Sequence, residues 1–107
     1  MEQRRNRRFQ LQLPLSITRS GAARVEMAGC TTNISSGGVL FTIEREPDFG
    51  GPIEYVITLT QTGRQVVNLR CIGKIVRADR VERGGELGPP AYQVAATLER
   101  YEFVREF

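Results

Sequence analysis

Residues 33–43 read Asn-Ile-Ser-Ser-Gly-Gly-Val-Leu-Phe-Thr-Ile, a polar turn with two glycines that leads directly into a strand pattern. Apolar and polar residues alternate from 39 to 43, which is the period of two expected for a half-buried strand. Gly37 and Gly38 both tolerate positive φ, so we expect a tight turn whose N–H groups face an anion. The turn lies at a strand edge, where loops tend to carry function.

The same alternation, working outward from this turn, predicts extended segments along most of the chain. Glycine, proline and polar residues separate them, and no long helical pattern is present. Short strands at this spacing indicate an all-β domain, either a closed antiparallel barrel or a sandwich. The predicted segments are about 9–19, 23–34, 38–45, 53–60, 65–79 and 91–99.

The inward faces of these segments are predicted to form an apolar core. At the end of the chain, Phe103 and Phe107 stand at helical spacing, which fits either a short helical turn that caps the barrel or a frayed end. The predicted core residues are Phe9, Leu11, Leu13, Leu15, Ile17, Val39, Phe41, Ile43, Ile53, Tyr55, Ile57 and Leu59.

Composition limits the classes of function. The 107 residues contain no histidine and two cysteines, so a zinc site would lack ligands and we expect no metal and no cofactor. Cys30 and Cys71 are predicted to be buried thiols. Catalysis at neutral pH most often uses histidine, so we do not expect an enzyme. No apolar stretch is long enough to span a membrane and no signal peptide follows the arginine-rich start, which indicates a cytoplasmic protein.

An arginine cluster precedes the first predicted strand. Residues 1–8 hold four arginines and one glutamate, a formal charge of +3 that equals the charge of the whole chain. Such a cluster is often only a solvated, disordered tail. A guanidinium group, however, can bond both O6 and N7 of a guanine, stack on flat rings and bind phosphodiester oxygens. The concentration of charge in this segment favours binding of an anionic ligand.

The two motifs together, Arg4-x-x-x-Arg8 and Asn33-x-Ser35-x-x-Gly38, resemble the signature of the PilZ family, receptors for cyclic di-GMP. The resemblance covers nearly the whole chain and implies a six-stranded antiparallel β-barrel over 9–107, with residues 1–8 as a flexible basic arm. Many family members have aspartate where Asn33 stands, and the asparagine keeps the acceptor oxygen without the charge. The cyclic di-GMP contacts that the resemblance implies are Arg4, Arg5, Arg8, Asn33, Ser35, Gly37 and Gly38.

The resemblance also implies a receptor that changes its arm conformation or its partner when cyclic di-GMP binds. A downstream protein partner is expected, whereas DNA, RNA and membrane insertion are not. Two alternatives stay open: a PilZ-like protein–protein adaptor without nucleotide binding, and a small nucleic-acid-binding β-barrel. The latter would normally interleave exposed aromatic and basic residues on a strand face.

Overall fold

The computed structural model describes residues 9–47, 51–63, 65–81 and 91–106. These residues form strands that pair antiparallel throughout and contain no helix, which confirms the all-β antiparallel class. The strands are β1 (Pro14–Ser20), β2 (Ala23–Ser35), β3 (Gly38–Ile43), β4 (Pro52–Thr62), β5 (Gln65–Val81), β6 (Ala91–Thr97) and β7 (Arg100–Glu106).

The pairings of the first six strands form a closed cycle. The sheet order is β4-β1-β2-β3-β6-β5-β7, and β4 also pairs with β5. Long β5 makes this closure possible, because residues 65–74 pair with β4 and residues 75–81 pair with β6. The seventh strand lies outside the cycle, and among the described strands it pairs only with β5.

Strands β6 and β7 together run antiparallel along most of β5. The register continues from Ile75↔Ala96 to Ile72↔Arg100, with a break at residues 98–99. Of the two alternatives for the chain end, the helical turn was therefore wrong over 100–106. Spacing by four suggested a helix, but the spacing of Tyr101 and Phe103 by two suits a strand that continues the β5 ladder. Phe107, the other residue of that prediction, lies outside the described residues.

The predicted core is largely confirmed. Eight of the predicted residues have 4% or less of their surface exposed, and Leu13 and Leu59 pack partly buried against them. Phe9 and Leu11 were assigned wrongly, since they are 51% and 44% exposed. The eight buried residues are Leu15, Ile17, Val39, Phe41, Ile43, Ile53, Tyr55 and Ile57.

Thr31 explains why β1 begins at Pro14, although the alternating sequence pattern begins at Phe9. This buried hydroxyl accepts a hydrogen bond from the N–H of Leu13 at 2.8 Å and donates one to the carbonyl of Leu11. The threonine side chain thus satisfies the N–H of Leu13 and the carbonyl of Leu11, while the carbonyl of Leu13 accepts from the backbone N–H of Thr31 at 2.9 Å. Alternation persists in the sequence there, but regular strand begins only at Pro14.

A β-bulge in β2 overturns the prediction for Cys30. Thr31 pairs with Phe41 and Asn33 with Leu40, so Thr32 is an extra residue between them. The extra residue reverses the inward parity, which places Thr31 inside and leaves Cys30 exposed. Cys71 is fully buried as predicted, and burial raises the pKa of its thiol to about 12.

Candidate ligand-binding groove

An open groove of about 470 Å³ crosses the outer face of β2, β3, β6 and β5. The predicted residues Asn33, Ser35, Gly37 and Gly38 all line it. The fold therefore brings the predicted turn into a concave surface. The remaining lining residues are Val39, Leu40, Val76, Arg77, Ala95, Ala96 and Thr97.

A row of side chains crosses this groove on four neighbouring strands. Asn33 pairs with Leu40, Leu40 with Ala95, and Ala95 with Arg77. Paired residues point to the same side, and the neighbours Phe41 and Val94 are buried, so the row faces outward. Three strand spacings separate its polar ends by about 14 Å. The short apolar floor between amide and guanidinium suits a flat ring or a sugar.

Ser35 holds the turn together through its hydroxyl. The N–H of Gly37 donates to Ser35 Oγ at 3.3 Å, and Oγ donates to the carbonyl of Gly38 at 3.2 Å. The one hydroxyl proton is therefore used inside the turn. Ser35 can still accept a hydrogen bond from a ligand, whereas donation to a phosphate requires it to release Gly38.

The backbone of the turn differs from its prediction. Neither Gly37 nor Gly38 has a positive φ; among the described residues, glycines with positive φ are Gly21, Gly51 and Gly63. An anion nest built on left-handed glycines was therefore a wrong interpretation.

Arg77 is the charged residue among the groove-lining side chains, and it was not predicted as a site residue. By simple alternation with buried Cys71 and Ile75 it would point inward. Val76 is instead an extra residue between the pairs Ile75↔Ala96 and Arg77↔Ala95, and this bulge turns Arg77 outward. An arginine at an inward position of an apolar strand was the signal that could have revealed the bulge.

The guanidinium of Arg77 forms an ion pair with Asp79, with Nε and Oδ2 3.1 Å apart. Both side chains are more than half exposed, and such pairs contribute about 0–1 kcal/mol. Because this contact is weak, Arg77 can turn toward an anion in the groove at little cost.

The arginine cluster lies outside the described residues. The structure does describe Phe9, the residue that follows it in the chain. Phe9 donates its N–H to the carbonyl of Ile34 at 2.8 Å and accepts from the N–H of Ile34 at 2.9 Å. Arg8 is the residue covalently joined to Phe9. The arm is therefore tethered to the fold between Asn33 and Ser35. The contacts predicted for Arg4, Arg5 and Arg8 stay predictions.

A second groove on the described surface carries charges of both signs. This larger groove, of about 660 Å³ on β1, β2, β4 and β5, contains three arginines, but Glu26 and Glu54 also line it. Within the described ranges, no group of three His, Cys, Asp or Glu side chains could hold a metal ion. No helix there is long and apolar enough to cross a membrane.

Together, these features define a small all-β domain with an open groove on its outer face. In comparisons with known proteins, the family model for the PilZ domain matches residues 2–100. The match covers most of the 107 residues, so the chain belongs to the PilZ domain family. No curated protein and no solved structure matches the chain. The matched range includes both motifs and ends at the first residue of β7.

Proposed function

We propose that this chain is a cyclic di-GMP receptor module whose ligand lies between the arginine arm and the groove. One observation carries the proposal: the bridge between Phe9 and Ile34 attaches the arm next to the Asn33-Ser35-Gly38 turn. Twenty-four residues separate Arg8 from the first position of the turn in sequence, and Phe9, the residue after Arg8, pairs with Ile34 inside that turn. The closed cycle of β1–β6 serves in this proposal as the barrel that the resemblance implies.

The chemistry of the ligand matches the groups available. Cyclic di-GMP carries two guanines and two phosphates, and an arginine fork bonds either a guanine edge or a phosphate. Asn33, half-buried at one end of the groove, offers both an acceptor and a donor to a base edge. Arg77 supplies a cation at the other end. Leu40 and Ala95 give a flat apolar floor between them.

Ligand binding would act as a switch through the arm. Several arginines close together repel one another, and phosphates neutralise that repulsion. Binding is therefore expected to order residues 1–8 over the groove and to change the surface that a downstream protein meets. No catalytic step and no cofactor is part of this proposal, and the expected location is the cytoplasm.

The adaptor alternative has one observation in its favour. The hydroxyl of Ser35 already bonds Gly37 and Gly38 within its own turn, and the turn would keep its shape without a ligand. For the nucleic-acid alternative, the observation in favour is the pair of exposed aromatic residues on β7, Tyr101 and Phe103. That strand carries as many glutamates as arginines, so it has no net charge to follow a phosphate backbone.

Calorimetric titration of the intact chain with cyclic di-GMP tests the proposal. At near-physiological salt we expect saturable heat with cyclic di-GMP and much weaker binding of cyclic di-AMP, because adenine lacks O6. Absence of heat with cyclic di-GMP would favour the adaptor. Equal binding of both dinucleotides would exclude guanine recognition by arginine.

Variants of the arm and of Arg77 assign the contacts. Arg4→Ala and Arg8→Ala are each expected to weaken binding by roughly 1–3 kcal/mol, with Arg5→Ala close behind. Arg77→Ala should cost about 1 kcal/mol, and more at low salt. Arg24→Ala, an exposed arginine outside the groove, is the control and should bind like the parent. Unfolding midpoints should be unchanged in all of them. Parent-like binding by both Arg4→Ala and Arg8→Ala would remove the arm from the site.

A further inference from the structure

Strand β7 lies at one end of the sheet order that the described residues form. It pairs with β5 through residues 66–72, and no described strand pairs with its other side. An open edge presents a row of N–H and C=O groups on which another strand can pair. The family match ends at residue 100, so the function proposed above makes no use of this strand.

The aromatic residues of β7 lie on the same face of the sheet as buried residues of β5. Tyr101 pairs with Cys71 and Phe103 with Leu69, both of which are buried, so the two rings continue the inward face of the sheet. They remain 59% and 64% exposed, and they contact each other edge to face with centroids 6.1 Å apart. Paired exposed rings of this kind are enriched at protein interfaces.

The sequence of β7, Arg-Tyr-Glu-Phe-Val-Arg-Glu, is complementary to itself in the antiparallel direction. If two copies pair about Phe103, Arg100 takes the position opposite Glu106 of the partner subunit. Tyr101 then stands opposite an arginine, Arg105 of the partner subunit, and the two Phe103 residues stand opposite each other. Opposite charges, aromatic pairs and an arginine on a ring each stabilise cross-strand pairs.

Charge also selects this register over its neighbours. A shift of two residues in one direction puts Glu102 opposite itself, and a shift in the other direction puts Glu102 opposite Glu106. Like charges directly opposite destabilise a sheet. A shift of one residue would place the aromatic pairs of the two copies on opposite faces. A parallel pairing in register would stack arginine on arginine and glutamate on glutamate.

We propose that β7 is a dimer interface, in which two copies of this chain pair antiparallel about Phe103 and join their sheets. The free edge begins two residues after Leu98, whose N–H donates to the carbonyl of Gly37 at 3.1 Å. The start of the interface therefore adjoins the turn of the groove. Seven residue pairs bury less than the roughly 1,200–2,000 Å² of a stable complex, so the dimer forms at high concentration and dissociates on dilution.

Sedimentation equilibrium of the intact chain over a range of concentrations tests this interface. The average mass should rise from 12.0 kDa toward twice that value as concentration increases. Arg100→Glu should raise the dissociation constant about tenfold, because two pairs change from attraction to repulsion. The double variant Arg100→Glu with Glu106→Arg restores both pairs and should return to the parent constant. Arg24→Glu, the same reversal on β2, should have no effect.

Two further measurements test the β7 interface independently of the charge-reversal variants. Phe103→Lys should give a monomer at every concentration while thermal melting shows that it is folded, because Phe103 is exposed in a single copy. A parent chain that stays at 12.0 kDa throughout would overturn the proposal. So would a dimer that Arg100→Glu and Phe103→Lys leave intact, because its interface would lie elsewhere.

Discussion

A Cβ atom built on Gly38 would lie 2.9 Å from the carbonyl oxygen of Ala96 on the neighbouring strand. That is too close for real atoms, and the obstacle is backbone, which cannot move aside as a side-chain tip can. The glycine of the Asn-x-Ser-x-x-Gly motif is thus required by the close approach of β6 to the start of β3. It keeps the floor of the groove flat at the point where Ser35 and Gly38 pair.

Gly38→Ala is therefore expected to destabilise the chain by roughly 1–3 kcal/mol, the usual cost of forcing a methyl group into a packed site. Gly37→Ala is the matched control, because Gly37 is exposed and has no positive φ, and it should change stability by less than about 0.5 kcal/mol. Urea unfolding followed by circular dichroism measures both. Equal stability of the two variants would mean that β6 can move away from the turn.

Glu54 belongs to a charge network on β4, β5 and β7 in which Arg70 is the shared residue. Arg70 donates to Glu54 Oε1 at 3.2 Å and to Glu102 Oε2 at 3.0 Å, and the hydroxyl of Thr18 donates to Glu54 Oε2 at 2.9 Å. The hydrogen bond from Arg70, followed by that from Thr18, lowers the pKa of the Glu54 carboxyl below 4.5. The charged form is the one that the folded chain favours.

The lowered pKa of Glu54 predicts the direction of a pH dependence. A carboxyl with a lower pKa in the folded state stabilises that state above its unfolded pKa, and the stabilisation disappears as pH falls through the folded pKa. The free energy of unfolding should thus decline below about pH 4.5 in the parent. Glu54→Gln should reduce the slope of that decline, and Thr18→Val should reduce it less. Urea unfolding measured at a series of pH values from 7 to 3 tests this. Identical slopes of unfolding free energy against pH for the parent and Glu54→Gln would contradict it.

At the scale of the elements, the strand positions were accessible from sequence and the bulges were not. Alternation located the segments that became β2–β6 within a few residues, because burial of one face imposes a period of two. The extra residues Thr32 and Val76 break that period. The inward position that alternation assigns to Arg77 was the one trace of the second bulge, and the first has no comparable signal. The two bulges decide which side chains face the groove, so Arg77 was missed and Cys30 was assigned to the wrong side. The register with neighbouring strands, a long-range property, sets both outcomes.

The bulge at Val76 leads to a prediction about deletions. Removing Val76 would leave Ile75 opposite Ala96 and Arg77 opposite Ala95 in a regular ladder, so every later side chain keeps its face. Removing Lys74 would shift one part of β5 by a residue and reverse its faces. We expect the Val76 deletion to unfold cooperatively with a modest loss of stability and the Lys74 deletion to be largely unfolded. Thermal melting compares them, and equal damage from both would show that the bulge is essential to the cycle.

At the scale of the whole molecule, the bridge between Phe9 and Ile34 brings together two parts of the chain that lie far apart in sequence. The family resemblance, carried by the Arg4-x-x-x-Arg8 and Asn33-x-Ser35-x-x-Gly38 motifs, anticipated the family, and the match over residues 2–100 confirms it. The class of fold followed from alternation and turn residues. Strand β7 could not be predicted in this way. Its backbone hydrogen-bonds to β5, about 34 residues earlier, and local residue spacing carries no information on that pairing. Its free edge gives the molecule a surface separate from the groove.

Amide hydrogen exchange with and without saturating cyclic di-GMP tests most directly whether arm and turn act as one site. Exchange should slow together in residues 4–10 and residues 33–38, because the ligand contacts both segments, while β4 stays unchanged. Arg8→Ala should diminish the protection in both segments. Unchanged exchange in residues 4–10, in a sample that calorimetry shows to be saturated, would contradict the account, because the ligand would then bind without the arginines.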